Sequence, residues 1–336
     1  MKLLAAMSGG VDSSVAAALL VEEGHDVTGV TLRLWDNPTD AGCCSVAEID
    51  DARQVANVLG IDHLVWTFVD EFDARVVAPY AAAHAEGLTP NPCIECNRHL
   101  KFGRLLRRAT QLGFDAVATG HHARIVDGRL LRGADPLKDQ SYVLYVLGQS
   151  ELARVRFPVG VMTKAGVRAK AAALGLPTAT KPDSQDVCFV TTSGGREALL
   201  ASRIALHPGR VVDTAGAEVG RVDAVELVTI GQRRGLGTGG GARRYALAVD
   251  PVAGTVTVGE AGDLLGASVT LAQLCWVREP VAGAVEVQTS AHGDAVGANF
   301  DGTTVTFTEP QRRVAPGQSV VLYRGDEVLG GGIAIQ

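Results

Sequence analysis

The sequence lacks several features that would place it in a common class of protein. No run of about 18 apolar residues is present, which excludes a predicted membrane-spanning helix. The opening residues, MKLLAAMSGG, reach polar and glycine residues too soon for a secretory signal, so we expect a cytoplasmic protein. Six cysteines in 336 residues are too few for a disulfide framework.

Basic residues are also in short supply. The chain has 31 of them against 37 acidic residues, a formal net charge of -6, which argues against a general nucleic-acid binder. Lysine occurs only six times, a bias that we attribute to a GC-rich genome rather than to function. One strip departs from this trend, because the predicted helix over 98–112 has five basic residues and no acid between 98 and 108. Contact with phosphates is therefore expected to be local, since charges beyond about 8–10 Å are screened.

Apolar patterning divides the chain into two parts. Up to residue 195, buried strands alternate with amphipathic helices, which predicts a parallel sheet covered on both faces, with ligands beyond the carboxyl ends of its strands. Beyond 195, short β-rich runs are separated by glycine and proline. We predict an α/β domain over 1–195, a small β-rich central domain over 196–265 and a C-terminal β-barrel over 266–336. The predicted elements of the first domain are strands over 2–7, 27–34, 62–69 and 115–119, and helices over 12–24, 45–59, 71–86 and 98–112.

The clearest local motif is SGGVDSS, residues 8–14, between the first strand and the first helix. Gly9 and Gly10 let the backbone approach an anion, and the following helix offers free N–H groups and the positive end of its dipole. Ser13 adds a hydroxyl donor, and Asp12 can hold a cation or cap the helix. The lysine of a Walker A loop is missing. The motif predicts a phosphate site, and a glycine-rich turn capped by Ser and Asp is the simpler alternative.

The cysteines are clustered rather than spread. Cys43 and Cys44 are adjacent in a loop, and we favour no special role for them. Cys93 and Cys96 form a CxxC motif, and Cys188 follows much later in DSQDVCF. Because a thiolate or persulfide is a strong nucleophile, two cysteine sites with a phosphate loop suit activation by ATP followed by sulfur transfer. A nitrogen-adding enzyme with the same loop would not need the CxxC, and a non-catalytic sulfur carrier or tRNA-binding factor would not need the intact loop.

These motifs, in this order, resemble the tRNA-specific 2-thiouridylase family of the N-type ATP pyrophosphatase (adenine nucleotide alpha hydrolase-like) superfamily. The resemblance rests on MSGGVDSS, TPNPCIECNRHLKF, ATGHHAR, LLRGADPLKDQSYVLY, DSQDVCF, TIGQRRGLG and APGQSVVLY. It implies adenylation of the wobble uridine O2 in tRNAs for Lys, Glu and Gln by ATP with Mg²⁺. Sulfur would then pass to C2 from a cysteine persulfide, which a sulfur-relay protein or cysteine desulfurase would load.

The resemblance also implies roles for individual residues. Cys96 would be the nucleophile and Cys188 the persulfide-bearing residue, and a disulfide between them would follow sulfur release. Asp12 would serve the magnesium complex of ATP. The nucleotide would contact Ala6, Met7, Ser8, Gly9, Gly10, Val11, Asp12, Ser13, Leu32 and Gly120. The tRNA, with its target base flipped out of the stack, would contact Asn91, Pro92, Cys93, His121, Lys138, Asp139, Gln140 and Gln318.

Cys93 departs from the family pattern, which commonly has Asp at this position. With Cys96 and Cys188 it makes three thiolates that could hold a [4Fe–4S] cluster with one open iron, and such a cluster could carry sulfide. Zinc is a further alternative, although a fourth ligand is not evident. We favour a persulfide relay over the cluster and the cluster over zinc.

Two further expectations concern the pair at 290 and 291, which differs from the family pattern, and the two histidines of the GHH motif, which are expected to have different roles. Ser290 and Ala291 replace a basic and aromatic pair expected to touch tRNA, and His292 or the arginines at 312 and 313 could substitute for that pair. In the GHH motif, His121 is predicted to be functional because it follows Gly120 at a strand end. His122 is predicted to be a polar surface residue.

Overall fold

The computed structural model describes residues 1–35, 46–183, 187–190, 195–239 and 243–335. Cys43 and Cys44 therefore lie outside the described residues, as do the three residues between Asp183 and Val187. The predicted fold class is confirmed: a five-stranded parallel sheet is followed by a four-stranded β-sheet and a closed six-stranded barrel. Within the described part of the chain, none of the helices has the length and apolar character needed to cross a membrane.

The parallel sheet has the strand order β3-β2-β1-β4-β7 and places β1 at its centre. Leu3 and Leu4 of β1 are buried on opposite faces, which gives each face an apolar layer. A hairpin, β5 and β6, is inserted between β4 and β7. The strands of this part are β1 (Lys2–Ala6), β2 (Asp26–Arg33), β3 (Asp62–Thr67), β4 (Ala116–Ala118), β5 (Ala123–Val126), β6 (Arg129–Arg132) and β7 (Val155–Arg156).

Seven helices accompany these strands in the described residues. Two of them, α3 over 69–85 and α4 over 92–111, each contain a π-helical stretch, at Asp73–Val77 and Cys96–Arg104. Such stretches are rare and often occur at functional sites. The other helices are α1 (Val11–Glu22), α2 (Val46–Leu59), α5 (Gln149–Leu152), α6 (Lys164–Ala173) and α7 (Gly195–Ala201). Helix α7 lies at the start of the part of the chain in which the sequence predicts short β-rich runs.

Helix α4 begins at Pro92, six residues before the predicted start. Asn91 is its N-cap, and the Asn91 side chain accepts a hydrogen bond from the Cys93 backbone N–H at 3.0 Å. Pro92 follows at the first helical position, where its missing N–H costs nothing. The helix therefore includes the whole CxxC motif, and the last of its four residues, Cys96, opens the π-helical stretch.

The remaining strands form the central sheet and the barrel. The central sheet has the order β10-β11-β8-β9 around its own small apolar core. The barrel closes because β12 pairs with both β15 and β17. The strands are β8 (Gly209–Val212), β9 (Glu218–Val222), β10 (Tyr245–Asp250), β11 (Thr255–Gly259), β12 (Leu265–Trp276), β13 (Gly283–Gln288), β14 (Val296–Phe300), β15 (Thr304–Arg312), β16 (Ser319–Arg324) and β17 (Glu327–Ile335).

The β5–β6 hairpin joins the first part of the chain to the barrel. Asp127 and Gly128 form its turn with φ of 51° and 72°, the conformation that a two-residue hairpin turn requires. Strand β6 pairs with β17, with Leu131 opposite Glu327. The largest apolar cluster is continuous across this junction, since it includes Val321, Tyr323 and Val328 of the barrel.

Candidate active site

The phosphate loop lies between β1 and α1, at the carboxyl end of the sheet. Gly9 has a φ of 72°, and an added side chain there would collide with the Glu48 backbone. Ser13 Oγ accepts from the Ser8 N–H at 3.1 Å and donates to Gly10 O at 3.0 Å, so the loop is fastened to the first turn of the helix. The first four N–H groups of a helix have no acceptor within it. The loop therefore has the geometry of an anion site at a helix N-terminus.

Gly120 holds the end of β4 against this loop. An added Cβ at Gly120 would lie 2.6 Å from the Ser13 backbone nitrogen, so only glycine permits this approach. Ala6, Met7 and Leu32 line the adjacent strand ends with apolar side chains, of which Met7 and Leu32 are buried. Thr31 Oγ1 donates to Met7 O at 2.8 Å and so joins β2 to the start of the loop. The predicted nucleotide residues are thus gathered at one end of the sheet.

Asp12 is held by two side chains that the sequence did not associate with it. Lys164 Nζ lies 2.8 Å and 2.7 Å from the two carboxylate oxygens, and His122 Nε2 lies 3.1 Å from Oδ1. Burial raises the pKa of Asp12, but the hydrogen bonds from His122 and Lys164 outweigh it and hold the pKa below its usual value. The expectation that His122 is a surface residue is wrong, because only 2% of it is exposed.

Asp183 extends this ionic network toward the segment that leads to Cys188. Its carboxylate lies 2.9 Å from Lys164 Nζ, 2.8 Å from Lys138 Nζ and 2.7 Å from Arg168 Nη2. Burial opposes ionisation, but the hydrogen bonds from Lys138 and Lys164 hold the pKa of Asp183 far below its usual value. Lys138, predicted to contact tRNA, therefore belongs to the same network as Asp12.

Lys181 is a second lysine beside the loop. Its Nζ donates to Gly9 O at 3.0 Å and pairs with Asp51 at 2.6 Å. Two of the six lysines in the chain, at 164 and 181, thus contact the loop directly, and a third, Lys138, reaches it only through Asp183.

The cysteine sites are built on the same apolar core. Cys96 is 6% exposed within the largest apolar cluster, and Cys188 packs against that cluster. Phe189, next to Cys188, is enclosed by the rings of Trp35, Phe72 and Tyr80 at centroid distances of 5.6–6.2 Å. Asn97 Nδ2 donates to Val143 O at 3.0 Å and ties the Cys96 end of α4 to the segment that follows Gln140.

Cys93 lies on the exposed side of the same helix. The protein around its thiol raises the pKa of Cys93, and the nearby Lys101 ammonium offsets part of that rise. No group of three or more Cys, His, Asp or Glu side chains suited to a metal ion occurs among the described residues, which include Cys93, Cys96 and Cys188. In the described structure, the three thiols are thus not arranged as ligands of one cluster.

The predicted tRNA residues fall into two sets. Asn91, Pro92 and Cys93 lie at the start of α4, and the loop before them contacts the barrel turn that contains Gln318, through a hydrogen bond from Thr89 N–H to Pro316 O of 2.8 Å. Gln140 is exposed, and its side-chain oxygen accepts from the His122 N–H at 3.0 Å. The first set is therefore joined to the barrel, and Gln140 is joined to His122 of the ionic network.

Asp139 and His121 are placed differently, because both side chains are enclosed. The Asp139 carboxylate is 7% exposed and accepts from Arg132, from the Gly133 N–H and from Ser141. His121 is 8% exposed between the rings of Phe102 and Phe157, and burial lowers its pKa well below the usual value. Both side chains therefore contact protein groups inside the structure.

The basic strip on α4 contacts protein to a greater extent than predicted. Arg104 pairs with Glu71 at 3.2 Å, Arg108 stacks over Trp66, and Arg98 Nη1 lies 3.2 Å from Cys275 Sγ in β12. At the barrel end, Ser290 O accepts a hydrogen bond from the Gln288 side chain, and Arg312 stacks over Tyr245 of the central sheet. Arg98 thus joins α4 to the barrel, and Arg312 joins the barrel to the central sheet, whereas Arg104 and Arg108 pack within the α/β part.

The sheet, the phosphate loop at its carboxyl end and the ionic network around Asp12 define an ATP-using enzyme of the pyrophosphatase-like class. Family models support this: one described as the tRNA methyl transferase HUP domain matches residues 1–192. Others described as the tRNA methyl transferase PRC-barrel domain and the Aminomethyltransferase beta-barrel domain match residues 197–260 and 268–334.

Known proteins narrow the class to one family. The chain is 49% identical over 348 residues to the tRNA-specific 2-thiouridylase MnmA of Chloroflexus aurantiacus (strain ATCC 29366 / DSM 635 / J-10-fl), covering 98% of this chain and 97% of that protein. It is 48% identical over 350 residues to the protein of the same name from Mycolicibacterium smegmatis, with 98% of each chain covered. The chain belongs to the tRNA-specific 2-thiouridylase MnmA family, an enzyme family, and the resemblance drawn from its motifs is confirmed.

Among solved structures, the similarity covers only part of this chain. The U34-tRNA thiolase NcsA from Methanococcus maripaludis with its [4Fe-4S] cluster is similar over 56% of this chain and 61% of that chain, with 20% identity and a TM-score of 0.39. Similarity at this level does not bear on the function of this chain.

Proposed function

We propose that this protein converts the wobble uridine of tRNAs for Lys, Glu and Gln to 2-thiouridine in the cytoplasm, with release of AMP and pyrophosphate. The observation that supports this most directly is the phosphate loop with Lys164 and Lys181 beside it. Cys96 and Cys188 share an apolar cluster with Ala6 and Leu32, which lie at the strand ends next to the loop. The segment that contains Lys138 and Gln140 contacts both Asp183 and His122 of the ionic network.

The first step is adenylation of the base. ATP would enter as its magnesium complex, and Asp12, the carboxylate of the phosphate loop, would hold the metal. The uridine O2 attacks the α-phosphorus, and the bond to pyrophosphate breaks. The loop N–H groups stabilise the negative charge that develops on the pyrophosphate, because positioned donors are most effective where charge develops. The ammonium groups of Lys164 and Lys181 add positive charge beside the loop.

The second step transfers sulfur. A sulfur-relay protein or cysteine desulfurase loads Cys188 as a persulfide. The terminal sulfur attacks C2 and displaces AMP, which leaves C2 joined to Cys188 through a disulfide. The Cys96 thiolate then attacks Cys188 Sγ, so that the thiocarbonyl is released and a disulfide joins Cys96 to Cys188. A thiol reductant restores both cysteines.

Reconstitution tests the proposal. The full chain is incubated with ATP, Mg²⁺, a persulfide donor and unmodified tRNA for Glu, and nucleosides are analysed by mass spectrometry, with a tRNA for an unrelated amino acid as the substrate control. Cys96→Ser and Cys188→Ser should abolish 2-thiouridine, whereas the matched variant Cys275→Ser should retain it. Unmodified tRNA with every donor, sulfide included, would show that the proposal is wrong.

One further variant separates the two sulfur routes. Cys93→Asp removes a thiol that a cluster would need but that the persulfide route does not use. Retained activity supports the persulfide route. Loss of activity together with loss of an iron signal from anaerobically prepared protein would favour the cluster.

We also propose that 1–195, 196–265 and 266–336 are the functional segments, of which the first holds the chemistry and the third faces the RNA.

A further inference from the structure

A turn of the barrel over 315–318 touches the loop that leads to the nucleophile. Thr89 donates its backbone N–H to Pro316 O at 2.8 Å. Gly317 faces the same loop with a φ of 89°, and an added Cβ there would lie 3.0 Å from Leu88 Cβ and 3.0 Å from the Thr89 nitrogen. On its other side the turn is fastened to the barrel, because Gly317 donates to Ala334 O and Ala334 donates to Gln318 O.

The residue after this turn is held just as firmly. Ser319 is 1% exposed, its carbonyl oxygen accepts from Tyr142 OH at 2.7 Å, and its hydroxyl lies 3.2 Å from Tyr145 OH. The segment that contains these tyrosines binds the Cys96 helix through Asn97 Nδ2 and Val143 O. The stretch over 89–97 is therefore held at its first and last residues by contacts that both lead to the turn over 315–318.

We propose that the barrel turn over 315–318 positions the Cys96 segment, and that Gly317 is the residue that permits the close approach. The inference rests on the proposed thiolation reaction, in which Cys96 must attack a sulfur atom on Cys188. A displacement of the attacking atom by about 1 Å costs about 100-fold in rate, so contacts that fix the position of Cys96 contribute to turnover itself. The barrel then has a second role besides binding RNA.

The barrel offers a matched control for this proposal. Gly283, at the start of β13, has a φ of 95°, and an added Cβ would have open space within 4 Å. Gly317→Ala and Gly283→Ala therefore introduce the same backbone strain in the same domain. They differ in one respect, since only the side chain at 317 displaces the loop at Leu88 and Thr89.

The experiment compares the two full-length variants with the unchanged protein below their thermal midpoints. For Gly317→Ala we expect kcat for 2-thiouridine formation to fall by at least about tenfold, with KM for tRNA changed less than about twofold. Gly283→Ala should retain both parameters. Equal kcat values for the two variants, or a raised KM with normal kcat, would overturn the proposal, because the turn would then act only as structure or only as an RNA contact.

A second readout does not depend on thiolation. The alkylation rate of the exposed Cys93, followed by peptide mapping, reports the position of the same segment and should change in Gly317→Ala but not in Gly283→Ala. If the unchanged protein makes no 2-thiouridine, the proposed function fails while this readout still decides the positioning. If Gly317→Ala does not fold, Tyr142→Phe weakens the opposite end of the same connection. Its kcat should then fall with KM preserved, and an unchanged kcat would overturn the proposal.

Discussion

Replacing Lys164 with methionine tests the ionic network most directly. The Lys164 ammonium has three N–H donors, and all three have carboxylate acceptors, two on Asp12 and one on Asp183. The lysine side chain is 12% exposed, and the two carboxylates are 31% and 19% exposed, so solvent screens the pairs only in part. Removing one partner from a buried ion pair costs 3–5 kcal/mol.

The expected loss of stability lies below that range. Asp12 keeps His122, and Asp183 keeps Lys138 and Arg168, so neither carboxylate is left without a partner. We therefore expect the free energy of unfolding to fall by about 2 kcal/mol. The rate of adenylation should fall by a larger factor, about 10²–10³, because Lys164→Met removes a positive charge from beside the developing pyrophosphate charge.

Two assays measure these effects. Urea unfolding gives the change in stability, and tRNA-dependent pyrophosphate release in a single turnover gives the rate of adenylation. Lys170→Met is the control, because Lys170 also joins α6 to α1 through Glu22 but is 31% exposed and lies away from the loop. It should change stability by less than about 0.5 kcal/mol and leave the rate unchanged. Pyrophosphate release in Lys164→Met within twofold of the unchanged protein would refute the assigned role.

Further predictions concern pH and the junction with the barrel. Burial lowers the pKa of His84 to about 4, so its contribution to stability is complete above pH 6.5 and is lost as the pH falls toward 4. Urea titrations should show about 3 kcal/mol of this loss, and less in His84→Phe. The pKa of Asp183 is depressed, so its contribution to the free energy of unfolding is present above pH 4 and is lost only in stronger acid. In the same titrations, Asp183→Asn should reduce the loss of stability in stronger acid. Arg132→Met removes the partner of Asp139 and Gln288 and the stack on Tyr323, and should lower unfolding free energy by about 3 kcal/mol, with Arg132→Lys intermediate.

The sequence predicts this fold well where the signals are local. Strands β1 to β4 and helices α1 to α4 follow from apolar periodicity, and their ends differ from prediction by a few residues. The early start of α4 was not predicted, although Asn91 and Pro92 are standard signals of a helix start, because the apolar periodicity of this helix begins only at Phe102. The pairing of β6 with β17 was also missed, because it joins residues almost 200 positions apart and depends on how the barrel docks.

The phosphate loop and the cysteines of the site could be predicted from the sequence, but the ion pairs around Asp12 could not. The glycines and serines of the loop act through the backbone next to them, so their spacing is visible in sequence. Asp12 and Lys164 are 152 positions apart in the sequence, and the residues next to each of them in the sequence do not predict the contact. His122 illustrates the same limit, since a polar residue after a strand is usually exposed. Here it is buried because the end of β4 packs directly on the first turn of α1.

The hairpin shared between the first part of the chain and the barrel limits how the molecule can be divided. Strand β17 is completed by β6, and Val321, Tyr323 and Val328 are buried in a core that belongs mainly to the α/β part. Burial of each such side chain is worth roughly 1.5–3 kcal/mol, so a barrel cut out at its sequence boundary would expose apolar surface and an open strand edge. In exchanges between family members, the transferable module is the barrel together with the hairpin over 123–132. A chimera that respects only the linear boundary is expected to be less stable and prone to aggregation.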